Sequence, residues 1–267
     1  RGPASPAAAL VAPGIGLYGL AAVTAPLLAP RFADRIPPEW SVAWGSALVA
    51  AAGPQCDAAA GREALENLTG RLQAAAGLTA PLTLTVVDDP LAEGRALPGG
   101  HILLTRGLLD LLRTPDELAG VLALEVAAGV RVGPERAILA NLRLPELVTL
   151  WLSGPRMAPA DLSAALVRAR LPADEQAALD ARALALLTGA GLRTRGLAAF
   201  HDVLTSRAAQ DGREPLYART HAADRERLER LRSGPAGGAA ALGYGQWQAV
   251  KTVCAGSPGG GEAGISG

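Results

Sequence analysis

Aromatic residues are scarce: they make up 3% of the chain, as four Trp, three Tyr and two Phe. So few rings argue against the stacking platforms on which single-stranded nucleic acids bind. Charge points the same way, because Lys plus Arg and Asp plus Glu each total 25 and no basic block stands out. Nucleic acid is therefore not an expected partner. Cysteine is nearly absent, and Cys56 and Cys254 make no Cys-x-x-Cys pair, which argues against a thiolate zinc site and a dithiol redox motif. Two readings of them stand side by side: unrelated buried thiols, or a long-range disulfide in an oxidising compartment. Only three histidines occur, His101, His201 and His221, and no two have the i,i+4 spacing of a helical metal pair. No serine lies in a Gly-x-Ser-x-Gly elbow. Leu97-Pro-Gly-Gly-His101 lacks the Gly-Lys-Ser/Thr ending of a phosphate loop.

What is abundant is small and apolar. Hydrophobic residues reach 49%, with much alanine, so a mostly helical chain is expected. A length of 267 residues can bury a proper core. Residues 7–30 carry no charge and are long enough for a membrane span, although Pro13 and Pro26 and the Ala/Gly content weaken it. Three forms are open for this stretch: a transmembrane anchor, a helix along a membrane or groove, or an apolar hairpin packed on the domain. Membrane association is the expectation.

The chain divides into an apolar N-terminal segment and junction (1–35), a globular part (36–232) and a Gly/Ala/Pro-rich tail (233–267). In the tail, 233–243 reads as a linker, 244–254 as a docking segment with Trp247 and Val250, and 256–267 as disordered. In the globular part, Leu82–Val87 alternates and is β-branched, which predicts a strand, and His101–Thr105 predicts a second. Leu97-Pro-Gly-Gly100 supplies the turn before it, and residues between the strands read as a loop. Helices are expected over most of the remainder. The strongest start is Thr114-Pro-Asp-Glu117, with Thr as N-cap, Pro at N1 and Glu closing a capping box. The Arg225–Arg232 helix, where Arg alternates with Glu, reads as a solvated face.

Several segments in order carry a resemblance. They are a strand, Ala96-Leu-Pro-Gly-Gly100, a strand, Thr105-Arg-Gly-Leu-Leu-Asp110, and Asp116-Glu-Leu-Ala-Gly-Val-Leu-Ala123. Further on come Ala178-Leu-Asp180 with Gly189-Ala-Gly191, then Thr220-His-Ala222 before an arginine-rich helix. Over roughly residues 36–232 this resembles the HtpX-like zinc metallopeptidases, bacterial relatives of the CAAX prenyl protease. The resemblance implies an α+β, mainly α, zincin-like domain with a small sheet. It also implies zinc held by two helix histidines and a downstream glutamate. Those positions are Leu124, Ala128 and Ala178 here, and none can bind a metal.

Glu125 stands at the place of the general base, as its remnant, and is expected to be exposed in the cleft or paired with an arginine. His221 is a candidate cleft residue. Leu97, Gly99, Gly100, His101, Ile102 and Leu103 are the expected binding residues, on an edge strand that accepts a peptide by strand addition. No metal or cofactor is expected, although zinc is usual in the family. Three readings follow: a pseudoprotease that binds a peptide or protein partner, an active zinc endopeptidase with unorthodox ligands, and a structural subunit with a filled cleft. The resemblance implies a bacterial envelope protein at the inner membrane with a periplasmic domain and a role in protein quality control. Such a setting makes the Cys56–Cys254 disulfide plausible.

Overall fold

The computed structural model describes residues 24, 28–131, 133–169, 171–211, 217, 225–235 and 237–256. A 3-10 helix, Ala29–Arg35, leads into α1 (Pro38–Ala51) and α2 (Ala59–Ala76). Then come β1 (Thr83–Val87), β2 (Gly94–Leu97), β3 (His101–Thr105), α3 (Arg106–Leu111) and α4 (Pro115–Arg131). The remaining helices are α5 (Pro134–Asn141), α6 (Leu144–Ser153), α7 (Pro159–Arg168), α8 (Ala173–Gly189), α9 (Arg195–Asp211), α10 (Arg225–Arg232) and α11 (Tyr244–Lys251). Most of the uncharged 7–30 stretch and the 257–267 tail lie outside the described residues. Among the described residues no helix is long and apolar enough to cross a membrane.

The centre of the fold is α4. Its start is fixed by side chains: the Glu117 N–H donates to Thr114 Oγ1 at 3.3 Å, and Glu117 Oε2 accepts from the Arg113 N–H at 2.7 Å. From Glu117 to Ala127 every residue is buried, because the sequence there is apolar around the helix apart from Glu117 and Glu125. Helices α2, α8 and α9 and strand β2 pack around it. A Cβ on Gly120 would come within 2.6 Å of the Leu197 backbone, so α4 and α9 cross with their backbones almost touching. Any larger residue at 120 would separate them.

The sheet has the order β1-β3-β2, with β1 parallel and β2 antiparallel to β3. Side chains alternate across it. Ile102 and Leu104 join the core with α2 and α4, whereas Leu103 turns to a second core with Trp44 of α1 and Leu162 of α7. The expected edge strand is therefore the central one. Gly94-Arg95-Ala96-Leu97 contains no β-branched residue and reads locally as a loop, yet it pairs with His101–Leu104 and closes that side. The strand at His101, Ile102 and Leu103 thus has a neighbour on each side, and strand addition there is excluded.

The C-terminal part belongs to the same core. Cys56 and Cys254 form a disulfide across 198 residues. A link of that span restricts the denatured chain by about 5 kcal/mol on a chain-entropy estimate. Helix α11 packs on α2, and Lys251 Nζ donates to the carbonyls of Leu109 at 2.5 Å and Leu112 at 3.1 Å, at the end of α3. The stretch read as a linker is also tied down. Thr194 Oγ1 donates to the Pro235 carbonyl at 2.6 Å, and the Ala241 N–H donates to Asp116 Oδ1 at 2.9 Å.

Candidate functional site

Leu124 is fully buried in the main core, and Ala128 is half-buried against it. One residue advances the side chain by about 100° around a helix, so Glu125 points away from Leu124, toward β2. Glu125 is 2% exposed. Its Oε2 accepts the Ala96 N–H at 2.8 Å and its Oε1 accepts the Tyr217 hydroxyl at 2.9 Å. It is buried and not exposed in the cleft, contrary to that expectation. Burial pushes its carboxyl up to about 7, although the Tyr217 hydroxyl and the Ala96 N–H pull it down. When protonated, the carboxyl can donate to the Tyr217 oxygen and still accept from Ala96.

Tyr217 had no signal in the sequence, lying 92 residues from its partner. Its ring meets Phe200 edge-on at 5.1 Å and, with Leu104 and Leu108, fills the space that a side chain at 94 would need. Its backbone N–H donates to the Ala92 carbonyl at 3.1 Å. Burial, then the neighbouring Glu125, raises its hydroxyl well above the ordinary range. Two groups just before and within β2, the Ala92 carbonyl and the Ala96 N–H, are thus engaged by the chain itself.

A second polar pair lies between α8 and α10. Arg227 Nε and Nη2 donate to the two oxygens of Asp180 at 2.9 and 2.8 Å, with both side chains almost fully buried. This is a bidentate fork. Arg227 is 1% exposed, so the charged helix read as solvated has one arginine turned into the core. Gln176 Nε2 also donates to Asp180 Oδ1, at 3.2 Å. The position carried over as the third ligand, Ala178, is two residues from Asp180 and so about 200° around the helix. Gln176, one turn before Asp180, shares its face. The residue that reaches the polar pair is therefore an amide at 176, not the alanine at 178.

Beside Glu125 is a cavity of about 310 Å³. Leu97, Gly99, Gly100, His101 and Ile102 form one wall; Glu125, Val126 and Gly129 form another. Five of the six expected binding residues thus meet there. Leu103 does not, because strand alternation sends it to a cavity of about 370 Å³ on the opposite face with Glu93 and Arg95. His101 is half-buried, with Nε2 3.5 Å from Ser46 Oγ, and burial lowers its pKa. His201 is fully buried. His221 lies outside the described residues.

These residues do not fit a catalytic zinc, which takes three protein ligands and one open position. Leu124 and Ala128 have no donor atoms. The oxygens of Glu125 are engaged by Tyr217 and Ala96, and those of Asp180 by Arg227. Among the described residues no group of three or more His, Cys, Asp or Glu is placed to hold a metal. No curated protein matches the chain. The model of peptidase family M48 matches residues 60–131, the segment from α2 through the sheet to the end of α4. Over that segment, which carries the sheet and the central helix of a mainly helical α+β fold, the chain is similar to the M48 metallopeptidases.

Proposed function

We propose that the chain is a non-catalytic, membrane-associated relative of the M48 peptidases that holds a peptide or partner protein in the cavity beside Glu125 without cutting it. The observation that carries this reading is the setting of Glu125. A general base must reach a metal-activated water. Here the carboxyl is buried and engaged by Tyr217 and Ala96, and the flanking positions are Leu124 and Ala128. The cavity walls are largely glycine and aliphatic, which suits an apolar side chain of an extended peptide. Because β3 is central, the partner enters by its side chain and does not extend the sheet at His101–Leu103. Open volume beside Glu125 favours this reading over a structural subunit with a filled cleft.

The proposed setting is the bacterial envelope, at the inner membrane with a periplasmic domain, in protein quality control. The Cys56–Cys254 disulfide supports an oxidising compartment. The test is binding of a fluorescent unfolded polypeptide, followed on gels for cleavage. Saturable binding without products is expected. Gly129→Leu should weaken it, because a Cβ at 129 has only Ala96 within 4 Å and the side chain would grow into the cavity. Chelator-sensitive cleavage would instead establish an active endopeptidase with unorthodox ligands.

A further inference from the structure

Helix α6 presents an unusual outer face. Pro145, Val148, Thr149 and Leu152 are exposed at i, i+3, i+4 and i+7, and none is charged. Val148 is 46% exposed and Leu152 is 70% exposed. The one charged side chain of the helix, Glu146, is turned inward, where Oε2 accepts the Arg143 N–H at 2.6 Å and pairs with Arg168 at 3.1 Å. The Thr149 hydroxyl donates to the Pro145 carbonyl at 3.0 Å, so its proton is satisfied within the helix. A helix that faces water normally carries charge on that side.

Inward, Leu147 and Leu150 pack on the cluster around Ile138, Leu139 and Leu142. Ala33 and Ile36, in and after the 3-10 helix, pack on the same cluster. At the entry to that 3-10 helix Leu28 is 48% exposed, and within it Phe32 is 55% exposed. This is where the uncharged 7–30 stretch meets the fold. Arg31 and Arg35 on this turn, and Arg143 and Arg156 around α6, are exposed. The acidic Asp34 lies 4.0 Å from Arg136.

We propose that α6, with the Leu28/Phe32 turn, is a second membrane contact that lies flat in the headgroup layer of an anionic bilayer. Val148 and Leu152 enter the acyl boundary, and the arginines meet lipid phosphates. Ten residues rise about 15 Å, half the hydrocarbon thickness, so the helix lies in the bilayer and does not cross it. Lipid is the occupant because the Leu28/Phe32 turn, packed on the same cluster as α6, runs directly into the uncharged stretch, and exposed arginines flank both the turn and α6. The inference rests on the membrane association proposed above, but concerns different residues.

The test uses the full chain with Leu152→Cys carrying an environment-sensitive fluorophore; the described cysteines are both held in the disulfide. With vesicles of equal parts phosphatidylcholine and phosphatidylglycerol, the chain should float and the emission should shift to the blue. The same dye at Gly245→Cys, an exposed site on α11, should not respond. The V148E/L152E pair should partition about tenfold more weakly. A chain that floats with unchanged emission at 152 overturns the second contact and leaves the N-terminal segment as the anchor. A chain that does not float overturns both. A blue shift without vesicles that grows with protein concentration overturns it in favour of a protein interface.

Discussion

Glu125 and Asp180 are both buried carboxyl groups, 2% exposed each, yet the protein handles them in opposite ways. Asp180 meets a guanidinium that takes both its oxygens, so its charge is matched within the core. Glu125 accepts from a phenol and a backbone N–H, and burial pushes its carboxyl up to about 7 although these bonds and the charge of Arg95 pull it down. One site is a structural ion pair between α8 and α10. The other is a buried acid at the wall of a cavity, held by Tyr217 and the Ala96 N–H. The lesson is that two carboxyls buried to the same degree can be satisfied by quite different partners. Here one carboxyl lies in an Arg fork, and the other accepts from a phenol and a backbone N–H.

Breaking the ion pair gives the largest expected effect. Arg227→Met should cost about 3–5 kcal/mol by leaving Asp180 buried and unmatched. Adding Asp180→Leu should recover most of it, as chemical denaturation of the single and double variants would reveal. If both singles and the double lose the same stability, the fork is not what holds α8 to α10.

Glu125 should behave in the reverse sense. Its folded pKa lies above its ordinary value, so its contribution is fully present below about 4.5 and is lost as pH rises through about 7. Glu125→Gln should therefore flatten that part of the stability curve and raise stability at pH 8 by about 3 kcal/mol. A Gln can still accept from Ala96 and donate to Tyr217. A variant less stable than the parent at pH 8 would mean that the carboxylate has a compensating cation.

Tyr217→Phe is the smallest perturbation. It should cost about 1 kcal/mol and move the Glu125 titration upward, because the hydroxyl bond pulls that carboxyl down. An NMR titration of the Glu125 carboxyl carbon checks the direction. A downward move would contradict the assigned role of the hydroxyl.

The two sites were unequally legible in the sequence. Glu125 and its apolar flanks stand in one continuous helix with its own cap, β1 announces itself by alternation, and β3 is a short apolar run after a turn signal. Each of these is a local signal. Strand β2 is four residues that form a strand because β3 lies alongside, so the central place of β3 depended on a pairing that no local pattern records. Tyr217 and Arg227 reach their partners across 92 and 47 residues. Arg227 was hidden further by glutamates in its own helix, which made the whole segment look solvated. Gln176 was missed because Ala178 was placed by short-motif likeness, whereas the helix repeat selects the residue one turn from Asp180.

The account rests on the site beside Leu124 having no means of holding zinc. Elemental analysis of the full chain after zinc loading and dialysis, alongside Glu125→Ala, tests this most directly. The expected result is zinc far below one per chain, unchanged by the substitution. One zinc per chain that disappears in Glu125→Ala would contradict it.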